Sequence, residues 1–423
     1  MFGSFGNNPQ PTSLFGGANN QPQTTLSNGF GQQNSNTFGS QPSTLSTTSN
    51  TNPLLQGNQG GPINIPVLPN EISLDNGHTD SITDIQFSPA NQTQFMTSSW
   101  DGFVRVWDFA TGAITKFLEY NHSGNAPVLS SLYSTDGTKV ISGGADGIIH
   151  IYDIQTRSLQ TLATLNSPVA FLKRAVINGM ELIISGSFNN VINYWDIRTF
   201  NATQPLSSLQ LPDKLFCMDA NDSGILVCGC ANKNVHLINM TQPNVIFKTT
   251  QINLKQQPRG LKCIPGNQGF IIASIEGRCS VVYFDEAVHK KDGFTFRCHR
   301  QSQRTFNPLN LTNNTLGNIP TNYKGSFVYA VNSVEIHPTY GTLATAASDG
   351  VISFWNVRER HRIKGLPTAS YPIVASSFNA NGTLLAYALS YDWSYGSAGS
   401  KPNNPVVIRI HQCTDEEIKE KKR

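Results

Sequence analysis

Seven times along this chain an apolar alternation closes on an aromatic or aliphatic residue followed by Asp, Asn or His. The closing pairs are Trp107-Asp108, Tyr152-Asp153, Trp195-Asp196, Ile238-Asn239, Phe284-Asp285, Trp355-Asn356 and Ile410-His411. The first five stand 43 to 46 residues apart, close to the roughly 40 to 45 residues that the four strands of one propeller blade occupy. A period of this length constrains the fold strongly, because one blade cannot bury its apolar face alone and a closed ring gives every blade a neighbour. The chain is therefore expected to be all-β, a seven-bladed propeller.

The strand pattern inside the segments supports the same reading. In the first, Ile82, Ile85 and Phe87 precede a turn at Ser88-Pro89, and Val104 and Val106 alternate with Phe103 and Arg105 before Trp107. Period-two alternation of this kind marks half-buried strands. Ser99-Trp100-Asp101-Gly102 forms the next turn, and Gly77-His78 opens the segment. This is the grammar of WD40 repeats, in which His78, Ser99, Asp101 and Trp107 would form a buried hydrogen-bonded set, since polar groups shielded from water must find partners. Variants of the turn recur at Ala145-Asp146-Gly147, Phe188-Asn189-Asn190, Ile275-Glu276-Gly277 and Ser348-Asp349-Gly350. The acidic residues in these turns are read as scaffold before catalysis.

Composition divides the chain of 423 residues into unequal parts. Residues 1–62 are read as an uncharged, disordered leader, residues 63–413 as the propeller with an insert at about 301–325, and residues 414–423 as a charged, solubilising tail. The outer strand of the last blade is expected from Ile63-Asn64-Ile65-Pro66-Val67 or from Glu71-Ile72-Ser73-Leu74, which would join the two ends and remove a free sheet edge. Seven cysteines are scattered without a Cys-x-x-Cys pair, which suits reduced structural thiols. With no signal peptide or long apolar run, an intracellular protein without membrane insertion is expected.

The first 70 residues contain no Asp, Glu, Lys or Arg and are dominated by Asn, Gln, Ser, Thr, Gly and Pro, too little apolar surface to offset chain entropy. Five Phe-Gly dipeptides punctuate this stretch, at Phe2, Phe5, Phe15, Phe30 and Phe38. Each offers one aromatic ring on a pliable spacer, and many weak ring contacts add up through multivalency. The leader resembles the FG repeats of nuclear-pore proteins.

Cations crowd two places. Arg358, Arg360, His361, Arg362 and Lys364 follow the Trp355 strand, and Lys290, Lys291, Arg297, His299, Arg300 and Arg304 flank the insert, where the closing pairs stand 71 residues apart. Arginine presents a planar fork of donors suited to carboxylates and phosphates. Both groups are expected to line one groove for an acidic partner, with single-stranded RNA as a second ligand class; a formal net charge of only +3 argues against a dedicated nucleic-acid binder.

In the second half, Ser274-Ile275-Glu276-Gly277-Arg278, Phe294-Thr295-Phe296-Arg297-Cys298-His299-Arg300, Val331-Asn332-Ser333, His337-Pro338, Gly341-Thr342-Leu343-Ala344-Thr345 and Tyr391-Asp392-Trp393-Ser394 follow in one order. With Leu209-Gln210-Leu211-Pro212 and the FG leader, they resemble the nuclear-pore-associated mRNA export propellers over nearly the whole chain. The resemblance implies a non-enzymatic adaptor that docks on a GLEBS-containing nucleoporin and holds messenger ribonucleoprotein for the export machinery. It implies residence in the nucleus and at the nuclear pore, with shuttling to the cytoplasm. Matched to the family, Trp355, Arg360 and Arg362 would contact the GLEBS segment, with Arg358 and Lys364 beside them, while Lys290, Lys291, Arg297, Arg300 and Arg304 would meet RNA or another acidic partner. Asn356 stands where the closing Asp is usual, and Ser394-Tyr395-Gly396-Ser397 replaces the family's usual Gly, charged residue and Glu in the last blade.

No GxSxG, GxGxxG, P-loop or HExxH motif occurs, and the nine histidines lack metal-ligand spacing. Neither catalysis, cofactor, metal nor small-molecule substrate is expected. The competing reading is a generic WD scaffold, such as a mitotic-checkpoint propeller or a ubiquitin-ligase substrate receptor, for which an FG leader has no use.

Overall fold

A computed structural model describes residues 67–302 and 326–419. Within them, seven four-stranded antiparallel sheets account for the seven repeats. The first strand of each blade neighbours the first strand of the next, from Ile82–Phe87 round to Ile373–Phe378 and back, so the ring closes on seven. The expected all-β, seven-bladed WD40 propeller is present. Six of the closing pairs end or directly follow the third strand of their blade, as at Phe103–Asp108, Val191–Asp196 and Ile352–Asn356, and Ile410-His411 stands one residue before the end of Val407–Gln412.

Alternation explains the packing. In Phe103–Asp108, Val104 and Val106 are fully buried while Phe103 and Arg105 are half-buried. Faces of neighbouring blades meet in continuous apolar layers, for example Met96 and Val106 of blade 1 with Leu132 and Ile141 of blade 2. A similar layer joins the last blade to the first, where Ala386, Ile408 and Ile410 pack with Phe95 and Trp107. Each buried aliphatic or aromatic side chain contributes about 1.5–3 kcal/mol, so the ring is held mainly by these interfaces. The turn before Phe103 requires glycine: Gly102 sits at φ +84°, and a Cβ there would lie 2.6 Å from the Asn125 backbone.

Of the two expected closing strands, the later serves. Glu71–Asp75 runs antiparallel to Val407–Gln412, with Glu71 opposite His411, and completes the seventh blade. Glu71 then accepts hydrogen bonds from Tyr387 at 2.7 Å and Arg409 at 3.1 Å, tying the two sequence ends together. Residues 414–419, expected as a solvated tail, depart from that reading. Asp415–Ile418 forms a short helix, α1, with a Thr414 and Glu417 capping box. Ile418 is buried against blades 6 and 7 and Glu417 meets His411, an apolar anchor and an ion pair that the charge pattern concealed.

The insert is zipped at its base. Arg300–Ser302 pairs with Ser326–Val328 in a separate two-stranded ribbon between blades 5 and 6. The FG phenylalanines Phe2, Phe5, Phe15, Phe30 and Phe38, the Ile63-Pro66 run and Arg304 lie outside the described residues.

Candidate functional site

The polar ties within blades decide which side chains remain for partners. In blade 1, His78 Nε2 and Trp107 Nε1 each lie 2.7 Å from the Thr97 hydroxyl, and His78 Nδ1 lies 3.0 Å from Asp101. Thr97 thus takes the place expected for Ser99. Both residues share one face of the strand, and position along it is the difference: Thr97 lies opposite Arg105 within the second strand, whereas Ser99 ends that strand and donates to the Asp80 carbonyl while accepting from the Asp101 amide. Burial works against charge on Asp101, but the bonds from His78 and Arg105 hold its carboxyl well below the usual range.

Blade 6 repeats the arrangement with a distant histidine. Trp355 Nε1 donates to Thr345 Oγ1 at 3.0 Å, His299 Nε2 lies 2.8 Å from the same oxygen, and His299 Nδ1 lies 3.0 Å from Asp349. Burial opposes charge on His299, yet the Asp349 carboxylate raises its pKa. Trp355 is therefore anchored from behind while half-buried. Its ring lies 4.8 Å from Phe296, which lies 5.7 Å from Phe294. Three half-buried aromatic rings thus form a row from blade 5 to blade 6.

Cations flank this row. Arg360, at φ +55°, places its guanidinium 4.9 Å over the Phe294 ring, 3.3 Å from the Lys291 carbonyl and 3.7 Å from Asp292. Lys291 and Lys290 belong to the helix Glu286–Asp292, α2 here, whose Asp285 N-cap accepts from the Val288 amide. The two basic groups do meet, through Arg360 and the end of this helix. A bulge between the third and fourth strands separates Arg362 from Lys364. Arg362 remains exposed beside Gly365. Lys364 instead pairs with Glu417 at 3.5 Å and Glu416 at 3.6 Å. Arg358 lines a cavity of about 440 Å³ with Ile264, Tyr283, Tyr340 and Ile418. Arg300 is drawn away from the row, donating to the Glu276 carbonyl at 3.0 Å, and Arg297 is exposed opposite Arg278. The arrangement offers stacking surface and exposed guanidinium groups, suited to an acidic chain with apolar side chains.

Comparison with known proteins agrees with this architecture. Residues 70–108, 115–153 and 318–356 match the WD domain, G-beta repeat family. The chain is similar to mRNA export factor GLE2 of Chaetomium thermophilum, 35% identical over 356 residues that cover 83% of this chain and 93% of that protein. It is also similar to the Poly(A)+ RNA export protein of Schizosaccharomyces pombe, 37% identical over 80% of this chain and 90% of that protein. Protein RAE1 of Arabidopsis thaliana is 34% identical over 81% of this chain and 91% of its own length. The chain belongs to the mRNA export WD-repeat propeller family.

Against this family frame, three groups escaped the sequence reading. The Trp100 and Trp393 rings meet at 4.7 Å, tilted by 35°, where blades 7 and 1 join, and the Trp393 indole N–H is buried without a partner. Both follow or precede a turn aspartate in the sequence, the only signal that could have drawn them together. The first strands enclose a channel of about 460 Å³ in which Lys262 meets Glu335 at 3.0 Å and Lys173 meets Asp219 at 3.4 Å. Third, His122, Asp146 and His150 converge in blade 2, although histidine spacing pointed to no metal set. Burial and the neighbouring His122 lower the His150 pKa to about 4. Among the described residues no helix is long and apolar enough to cross a membrane.

Proposed function

We propose that this propeller is a non-enzymatic adaptor of mRNA export that works at the nuclear pore by docking the acidic GLEBS segment of a nucleoporin on the rim between blades 5 and 6. The names of its relatives, an mRNA export factor and a Poly(A)+ RNA export protein, support the process and the nuclear setting. One observation carries the docking site: the row Phe294, Phe296 and Trp355 stands half-buried beside the exposed guanidinium groups of Arg360 and Arg362. Desolvated aromatics and arginines dominate binding energy at protein interfaces. Arg358 contributes from the adjoining cavity, Lys290 and Lys291 extend the positive surface, and Lys364 joins only by leaving Glu416 and Glu417. The FG leader adds weak retention in the pore meshwork, and shuttling follows from reversible docking.

The test is titration of a GLEBS peptide onto the full chain. Affinity should fall as salt rises, and Arg360→Glu with Arg362→Glu should weaken binding at least tenfold, about 1.4 kcal/mol. Unchanged affinity would remove the rim from the site. Loss of single-stranded RNA binding in the same variant, with peptide binding intact, would make the rim an RNA surface instead.

A further inference from the structure

Blade 2 differs from blade 1 at one position that carries chemistry. In blade 1, Arg105 stands opposite Thr97, and its guanidinium lies 2.8 Å from the Asp101 carboxylate that also receives His78. In blade 2 the position opposite Ser142 is His150. His122 and Asp146 repeat the His and Asp of the set, with His122 Nδ1 3.1 Å from both carboxylate oxygens. The tethered cation of blade 1 is thus replaced by an imidazole, whose neutral form offers a lone pair. Among the described residues Asp146 makes no ion pair with Lys or Arg.

We propose that His122, Asp146 and His150 form a binding site for a divalent transition ion, zinc foremost, which takes the place that the Arg105 guanidinium fills in blade 1. One donor atom from each residue lies within 4.8 Å of the other two. Zinc bonds of about 2.0–2.2 Å place tetrahedral donors about 3.3 Å apart, so the His122 and Asp146 donors already stand near that separation. Only His150 has to close in. Two imidazoles and one carboxylate are a donor set of zinc and iron(II) sites, with remaining positions open to water.

The surroundings hold the ligands as a metal site requires. His122 Nε2 lies 2.8 Å from Ser142 Oγ, which accepts from the Tyr120 hydroxyl at 3.0 Å. With a metal on Nδ1, the imidazole proton resides on Nε2 and is donated to Ser142, which fixes the tautomer. His122 is fully buried, whereas the Asp146 side chain is 12% exposed and gives the ion its approach.

The experiment uses the full chain stripped with a chelator, then titrated with zinc or cobalt(II). Zinc at submillimolar concentration should raise the melting temperature by several degrees, because a ligand bound only to the folded state stabilises it. Cobalt(II) should give visible d–d bands without sulfur-to-metal charge transfer. His150→Arg, which copies blade 1, should keep its metal-free melting temperature and lose both responses. Should that variant fail to fold, His150→Gln is measured instead, with the same loss expected. A wild-type chain indifferent to zinc, an equal shift in the variant, or a thiolate signature in the cobalt spectrum would overturn the site.

Discussion

His299 Nδ1 lies 3.0 Å from the Asp349 carboxylate across 50 positions of sequence. The corresponding pairs of blades 1 and 2, His78 with Asp101 and His122 with Asp146, span 23 and 24 positions. His299 therefore belongs to blade 6 although it stands two residues after the last strand of blade 5, Phe294–Arg297. The insert has been spliced between this histidine and the first strand of its blade, and the ribbon of Arg300–Ser302 with Ser326–Val328 closes the splice. This accounts for the long interval before Trp355 and keeps the aromatic row anchored from behind.

Removing the shared hydroxyl should show that anchor. Thr345→Val keeps the shape but leaves His299 Nε2 and Trp355 Nε1 without their buried partner. Each unsatisfied buried group costs about 1–3 kcal/mol. Denaturant unfolding should register a loss in that range, and a variant as stable as the parent would show the tie to be dispensable.

The closure of the ring should respond to pH. His411 Nε2 lies 3.0 Å from Glu417, and its Nδ1 lies 3.4 Å from Glu71. Burial opposes its charge, but the two carboxylates raise its pKa from 6.5 to about 9. Its contribution is complete below 6.5 and is lost as pH rises through about 9. Burial likewise opposes charge on Glu417, yet His411 and Thr414 lower its pKa from 4.5 to about 2. That contribution is complete above 4.5 and is lost as pH falls through about 2. Melting temperature should decline between pH 6.5 and 9, and His411→Gln should flatten that limb. A wild-type melting temperature unchanged across the interval would exclude the link.

Arg360 occupies a left-handed backbone position, φ +55°, four residues after Asn356; blade 1 places Gly112 at φ +83° four residues after Asp108. A side chain there costs about 1–2 kcal/mol. Arg360→Gly relieves that cost while removing an exposed ion pair of little worth. Thermal stability should hold or rise as GLEBS-peptide affinity falls. A parallel loss of both would mean that Arg360 is scaffold.

The channel adds a second contribution that is lost as pH rises. Burial raises the Asp84 carboxyl from 3.8 to about 6, against the pull of Lys173. A folded pKa above the unfolded one means stability that is present at low pH and lost as pH rises through about 6. Asp84→Asn should therefore be more stable than wild type at neutral pH, the difference vanishing toward pH 3.8. Equal melting temperatures at neutral pH would show that the channel supports the charge.

Periodic features were legible before any coordinates. Seven closing pairs, strands of period two and the acidic turns follow from local backbone geometry, and they specified blade count, strand order and the roles of His78, Asp101 and Trp107. Thr97 was missed because alternation names a face but does not say which hydroxyl on it meets an indole. Glu417 and Ile418 were hidden in a charge-rich stretch, where composition speaks for solvent and a single apolar contact decides otherwise.

What the linear chain determined by itself is the repeat, since six of the seven blades are built from neighbours in sequence with local hydrogen-bond ladders, and the seventh borrows only its outer strand, Glu71–Asp75, from the far end. What only the tertiary structure decided are the meetings between residues far apart in sequence: Glu71 with His411 and His299 with Asp349 within single blades, and Phe296 with Trp355 and Arg360 with Asp292 between blades. Those distances depend on how twisted sheets pack around a common axis. That packing is a property of the closed ring, which no single repeat encodes.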